Sequence, residues 1–290
     1  MAEIDVKDLT KFYGAKRALH NVCLSVEQGE IFGYLGPNGA GKTTTINCMM
    51  DFIRPTNGKI LINNLDAHEQ TTALKSLIGY VSSDVNLYDH WSGWDHLKLM
   101  EQVRGKSKIL KRLLHDFQFD PQLKARKMST GNRQKLSVIM ALMHEPPILI
   151  LDEPTRGLDP LLQQVFYNYL REFKNNGATV FFSSHNLAEV EHVCDRVAII
   201  KEGKIVAVES ISEMKSKRMY LVTVEYEGDL GDNKLKALQA IVIERYDHKL
   251  KIKVPGDVNK LLDVLSTVKL NDLHIEQASL EEIFLEYYHA

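Results

Sequence analysis

The chain has 290 residues, 44% hydrophobic and 26% charged, a balance that excludes a disordered or fibrous protein. Its formal net charge is −2, and dividing it near residue 214 leaves both parts close to neutral, so no basic field recruits nucleic acid by counterion release. No apolar run reaches the roughly 18 residues of a membrane span, the start Met1-Ala2-Glu3-Ile4-Asp5 lacks a signal-peptide pattern, and Cys23, Cys48 and Cys194 fit neither a disulfide frame nor zinc spacing, so a cytoplasmic protein is expected.

In chain order, Ile4-Asp5-Val6 and Val22-Cys23-Leu24-Ser25-Val26 alternate at period two and predict strands. The apolar run 31–35 predicts a buried strand, and 42–53 a helix. Strands follow at 58–63 and 78–81, and residues 94–104 and 106–117 carry apolar positions at helical spacing. Then come a strand at 148–151, a helix at 161–175, a strand at 179–182, a helix at 187–194 and a strand at 197–200. This alternation predicts an α/β fold around a mainly parallel sheet, with ligands at the C-terminal strand ends.

After Ile211-Ser212-Glu213-Met214 the pattern resets. A strand at 221–226, a short helix at 234–238, a hairpin of 241–246 with 250–254, a helix at 258–268 and a strand at 273–275 give β-α-β-β-α-β, a ferredoxin-like order. A last helix is expected at 280–288 from the capping box of Ser279 with Glu282. The expected domains are 1–215, with a helical subdomain at about 84–145, and an α+β accessory domain at 216–290.

Between the strand at 31–35 and the following helix lies Gly36-Pro37-Asn38-Gly39-Ala40-Gly41-Lys42-Thr43, a full match to the phosphate-binding pattern G-x-x-x-x-G-K-[ST]. Its glycines let successive backbone N–H groups converge on nucleotide phosphates, with a helix N-terminus behind them. Lys42 can bridge the β- and γ-phosphates, and the Thr43 hydroxyl, beside Thr44, can ligate Mg²⁺. The pattern predicts binding of ATP or GTP.

Such a loop needs a carboxylate to hold Mg²⁺, at the end of a neighbouring buried strand. Ile148-Leu149-Ile150-Leu151-Asp152-Glu153 supplies it: four aliphatic residues read as a strand buried on both faces, with Asp152 emerging at its end. Glu153 is placed to accept a proton from a water attacking the γ-phosphate. Two carboxylates after a strand could also simply open a turn.

Further segments carry a family resemblance. Met128-Ser129-Thr130-Gly131-Asn132-Arg133-Gln134 is similar to the signature of ABC ATPases, Thr155-Arg156-Gly157-Leu158-Asp159 to their D-loop, and Phe182-Ser183-Ser184-His185 to their switch-histidine loop. Tyr13 stands where the family stacks an aromatic ring on adenine. Over residues 1 to about 210 the order and spacing resemble an ABC-type P-loop NTPase, with N-terminal antiparallel strands and a helical subdomain. The resemblance implies ATP and Mg²⁺ as ligands, Glu153 as base and His185 as the group that polarises the γ-phosphate and water. It also implies that Ser129, Thr130, Gly131, Asn132 and Asp159 face nucleotide across a dimer.

Two departures stand out. Thr130 replaces the usual glycine, at a place of expected close backbone approach, and Ser83 replaces the glutamine that reaches Mg²⁺, being too short to do so without a bridging water. Beyond Ser83, Leu87-Tyr88-Asp89-His90-Trp91-Ser92-Gly93-Trp94 holds both tryptophans where family members meet a membrane subunit; an interface and ordinary core packing both account for them. The resemblance implies an exporter-type ATPase of the multidrug or antibiotic-resistance kind. It would form a homodimer or heterodimer and sit on the inner face of the membrane through permease subunits. The alternative is a non-transport ABC ATPase that remodels a ribosome or nucleic-acid complex, which the near-neutral charge disfavours.

Overall fold

Alternating apolar residues at the N-terminus form a long antiparallel pair, β1 (Ala2–Tyr13) and β2 (Lys16–Glu27), turned at Gly14 with φ +57°. Both strands run well beyond the alternating cores seen in sequence. The computed structural model, which describes residues 2–216, 219–228, 230, 235, 237–255 and 258–277, divides into two units, Met1–Glu209 and Ser210–Ala290.

In the first unit, β1 and β2 join β4 (Asn57–Ile62) and the short β5 (Leu65–Asp66) in a sheet of order β2-β1-β4-β5. A second sheet is built on β3 (Ile31–Leu35), β6 (Ile78–Val81), β7 (Ile148–Asp152), β8 (Thr179–Ser184), β9 (Arg196–Lys201) and β10 (Lys204–Ser210), ordered β10-β9-β3-β8-β7-β6. The neighbours from β9 to β6 pair in parallel. Strands β3, β7 and β8 are buried at every position, as continuous aliphatic and aromatic runs require when both faces are covered.

One core cluster joins Ile4, Val6 and Val26 of the antiparallel sheet to Phe32, Tyr34, Ile150 and Phe181 of the parallel sheet, and to Ile46 of α1 (Lys42–Met49). The Phe32 and Phe181 rings stack at 6.0 Å. Each such ring contributes about 2 kcal/mol of burial, so the two sheets and α1 hold one another in place.

The sequence pattern missed α2 (Thr71–Leu77) and the edge strands β5 and β10, whose short or half-exposed runs leave a weak periodic signal. Helix α3 (Gly93–Arg104) starts one residue ahead of expectation at a capping box, in which Ser92 Oγ accepts from Asp95 N and Asp95 Oδ2 accepts from Ser92 N. The segment at 106–117 shortens to α4 (Leu110–Asp116), ahead of which Ser107 Oγ accepts the Leu110 N–H at 3.0 Å. Helix α5 (Thr130–Leu142) is capped by Ser129. Helices α6 (Pro160–Asn175) and α7 (Leu187–Val193) follow β7 and β8.

The second unit opens with α8 (Ile211–Ser216). Strands β11 (Met219–Glu227), β12 (Ile241–Tyr246), β13 (Lys249–Pro255) and β14 (Lys269–Gln277) form a sheet of order β12-β13-β11-β14, all pairs antiparallel. With α9 (Val258–Leu265), this strand order is the ferredoxin-like arrangement. Val222, Val224, Ile252, Val254, Leu261 and Leu265 make its core. Residues 234 and 236 of the segment expected as a helix at 234–238, and all of that at 280–288 with its Ser279–Glu282 capping box, lie outside the described residues.

Candidate functional site

The buried strand β3 delivers the chain into Gly36 to Thr43, and α1 leaves at Lys42. Glycine is required at two places. A Cβ on Gly36 would lie 2.4 Å from the Ile200 carbonyl oxygen, and Gly41 has φ +113° with the Leu19 side chain 2.8 Å from where a Cβ would stand. Gly36, Pro37 and Ala40 form the back of the loop; Asn38, Gly39, Gly41, Lys42, Thr43 and Thr44 line an open cleft of roughly 520 Å³.

Lys42 is 5% exposed and its Nζ donates to Gly36 O at 2.7 Å and Pro37 O at 3.2 Å. The same ammonium lies 3.2 Å from Glu153 Oε1, and Glu153 Oε2 lies 3.2 Å from His185 Nδ1. A lysine, a carboxylate and a histidine therefore stand in line at one end of the parallel sheet.

Beside this line is a second one. Thr43 Oγ1 donates to Asp152 Oδ2 at 2.8 Å, and Ser183 Oγ donates to Asp152 Oδ1 at 2.6 Å. Asp152 is fully buried, so both carboxylate oxygens need such partners. The β7–β8 register puts Asp152 opposite Ser183. Ser183 also anchors Glu153, whose N–H donates to Ser183 Oγ at 3.1 Å and whose φ is +48°, in the left-handed region. Sequence reasoning passed over Ser183, although its pairing position opposite Asp152 follows once β7 and β8 are neighbours.

Among the described residues, no group of three or more His, Cys, Asp or Glu could hold a metal on its own. One carboxylate and one hydroxyl, hydrogen-bonded together, are a hard-oxygen pair that suits an ion taking the rest of its shell from phosphate and water.

Tyr13, at the end of β1, lines the cleft with its ring half-exposed and Lys11 Nζ 5.3 Å from the ring centre. Lys16, Arg17, His20, Glu202 and Lys204 line the same side and were not singled out from sequence. The turn between β9 and β10 clips this wall: Gly203 N donates to Ala40 O at 2.8 Å, and Gly203 O accepts from His20 N at 2.7 Å. Gly203 has φ +75°, and a Cβ there would meet the Ala18 carbonyl at 2.4 Å. The Glu-Gly pair between two apolar runs is the hairpin signal that could have shown it.

Ser129, Thr130, Gly131, Asn132 and Asp159 are not in the cleft lining of this chain. Ser129 Oγ accepts from Asn132 N at 3.2 Å and caps α5; Asp159 Oδ1 accepts from Leu162 N at 3.0 Å and caps α6. The place of close backbone approach is Gly131, where a Cβ would lie 2.8 Å from Gly157 O, whereas Thr130 is exposed. Thr130 Cγ2 would lie 3.6 Å from a Cβ placed on Gly157, an ordinary packing distance. Gln134 Nε2 donates to Pro154 O at 2.7 Å and ties α5 to the turn after Glu153.

Ser83 follows β6, is half-buried, and does not line the cleft. Its neighbour Ser82 is a hydrogen-bond partner of Tyr80, whose phenol is pushed up by burial, with the Asp152 charge adding to the rise. Trp91 and Trp94 are each half-buried. Trp91 packs on Tyr88 at 4.6 Å and on His96 at 5.3 Å, and Tyr88 itself is 63% exposed. Backbone bonds from Gly93 N to Leu123 O and from Ala125 N to Trp91 O fasten the segment to the stretch before α5.

The family profile described as ABC transporter matches residues 19–156. The bacitracin transport ATP-binding protein BcrA of Enterococcus faecalis is 32% identical over 274 residues, covering 91% of this chain and 85% of that protein. BcrA of Bacillus licheniformis is 31% identical, covering 98% of this chain and 96% of its own length. Among solved structures, an ATP-binding subunit of an ABC transporter superposes with a TM-score of 0.68 at 31% identity, over 73% of this chain and 91% of that one. A dimeric ATP-binding cassette in a post-hydrolysis state with ADP and Pi shares the fold, with a TM-score of 0.66 at 24% identity over 72% of this chain and 98% of that one.

Proposed function

Because the chain belongs to the ATP-binding proteins of the ABC transporter family, we propose that it binds and hydrolyses ATP at the Lys42–Glu153–His185 site and drives separate membrane subunits, as part of an exporter. The observation that carries the reading is the convergence of two lines of side chains on one phosphate loop: Lys42, Glu153 and His185, and Thr43, Asp152 and Ser183.

The residues divide the chemistry between them. The loop N–H groups and the α1 N-terminus take the phosphate charge. Lys42, in this geometry spent on Glu153 and on loop carbonyls, is drawn to the β- and γ-phosphates when nucleotide enters. Glu153 is then released from its cation and can accept the proton of the attacking water, while His185, 3.2 Å away, holds water and γ-phosphate in line. Thr43 and Asp152 would hold Mg²⁺, which when bound neutralises developing phosphate charge. Tyr13 offers a ring face to the base.

The capped N-terminus of α5, with Ser129 and Gly131, lies outside the cleft of its own chain. We assign it to the γ-phosphate of a second ATP-binding subunit, identical or related, in a dimer that closes on two nucleotides. The names of the relatives, bacitracin transport and multidrug transport, support export of an antibiotic-like cargo. The chain would then work on the inner face of the membrane, bound to its permease, with 216–290 as an accessory domain.

The test is ATP turnover by the full chain beside Lys42→Ala. The parent should hydrolyse ATP, and the variant should lose binding and turnover while remaining folded. Near-normal turnover in the variant would refute the site assignment.

A further inference from the structure

Glu189 lies in the first turn of α7, four residues past His185, and none of the phosphate chemistry above uses it. Its two carboxylate oxygens are occupied from different directions. Thr155 Oγ1 donates to Oε1 at 2.7 Å, and Ser184 Oγ donates to Oε2 at 2.6 Å. Both donors are buried, at 5% and 2% exposure. Thr155 is two residues past Glu153, and Ser184 immediately precedes His185. Ser184 Oγ also accepts from Asn186 N at 2.9 Å, so the backbone on both sides of His185 is fixed through this one hydroxyl. Tyr167 of α6 faces the same carboxylate, and its phenol is pushed up by burial and by the Glu189 charge.

Resting on the reading of the site given above, we infer that Glu189 is a positioning residue that locks the turn carrying Glu153 to the turn carrying His185. The two side chains lie 3.2 Å apart on separate strand ends. Ser183 joins those strand ends at the Asp152 level. Beyond that level the carboxylate of Glu189 bridges the two turns. A charge-assisted pair of short hydrogen bonds from buried hydroxyls suits this task, because it fixes angle as well as distance. The competing role is a helical one: an acidic residue in the first turn of α7 also favours that helix through its dipole.

The roles separate in steady-state ATPase kinetics of the full chain. Glu189→Ala should lower kcat by about 10- to 100-fold, the scale of a misplaced reacting group. Its KM for ATP should stay within about twofold, since Glu189 is hydrogen-bonded to Thr155 and Ser184, and the loop meets Ser184 through a backbone bond, Gly36 N to Ser184 O, that the substitution leaves in place. Glu189→Gln should recover much of the rate, because the amide can meet both hydroxyls after one of them rotates to accept. Thr155→Val, isosteric and lacking only the hydroxyl, should lower kcat alone but add nothing to Glu189→Ala, as expected of residues acting through one contact. It also carries the test if Glu189→Ala fails to fold. A Glu189→Ala protein with parental kcat and merely a lower Tm would overturn the inference, as would losses from Thr155→Val and Glu189→Ala that multiply. A parent chain with no ATP turnover would instead remove the reading of the site itself, and the bridge with it.

Discussion

The Lys42 ammonium lies 3.2 Å from Glu153 Oε1, so the cation of the phosphate loop already neutralises the carboxylate at the end of β7. The pair is poorly exposed, and a close buried pair is separated only by a stronger competitor. Nucleotide phosphates, with several charges and fixed N–H donors around them, are that competitor. On the proposed reading of the site, this geometry couples nucleotide arrival to release of Glu153.

Glu153→Gln follows from this. The amide keeps the size of the side chain but cannot take the proton of the attacking water, and it removes a negative charge facing the phosphates. We expect ATP to bind at least as tightly as in the parent, and turnover to fall on the order of 10²–10⁴-fold. Size-exclusion chromatography with ATP should show a persistent dimer. Hydrolysis at the parental rate would take the general-base role away from Glu153.

Asp159 has two possible duties, and two substitutions separate them. As the cap of α6 it accepts from Leu162 N at 3.0 Å, with Pro160 at the first helical position. Asp159→Ala should cost about 1 kcal/mol, near 2–4 °C in Tm if the transition is cooperative. Asp159→Asn keeps the cap and should melt like the parent. If the charge also serves across a dimer, the asparagine variant should lose ATP-dependent dimerisation while keeping its Tm. Parental dimerisation in that variant would confine Asp159 to capping.

The phosphate loop and the strand ending in Asp152 were legible in sequence because both are local: an eight-residue pattern, and four aliphatics before two acids. Ser183, Glu189 and the Gly203 clip were not, since each acts through a partner distant in sequence; Ser183 and Asp152 are 31 positions apart. The packing of the α5 N-terminus is hidden in the sequence for a related reason. The residue type is visible in the chain, but which position of the α5 N-terminus meets Gly157 O depends on the helix phase, set by the Ser129 cap. The edge strand β10, half-exposed along its length, carries too weak an apolar pattern to be seen.

The C-terminal residues should be dispensable for nucleotide binding if the cut respects β10. Lys204 lines the cleft and Gly203 bonds the phosphate loop, so both must stay. A chain ending at residue 216 retains them and should bind a fluorescent ATP analogue within about threefold of the full chain, less than 1 kcal/mol. A folded truncated chain that no longer binds would show that 217–290 contributes to the site.

The last prediction concerns where closure does its work. Trp91 and Trp94 are half-buried, and backbone bonds fasten their segment to residues 121–125, whereas Tyr88 is 63% exposed and stacks on Trp91. On α3, Leu99 and Val103 are also exposed, one helical turn apart. An accessible aromatic on a braced loop, with apolar residues on the following helix, has the composition of an interface anchor. Tyr88→Ala should therefore weaken recovery of membrane subunits from gently solubilised membranes by more than tenfold, since truncating a central anchor costs roughly 2 kcal/mol or more. ATP binding by the isolated chain should be unchanged. Trp91→Ala should also weaken docking, but with a measurable fall in Tm, because its ring packs on Tyr88 and His96. If Tyr88→Ala keeps full recovery of the membrane subunits, the docking surface lies away from this loop.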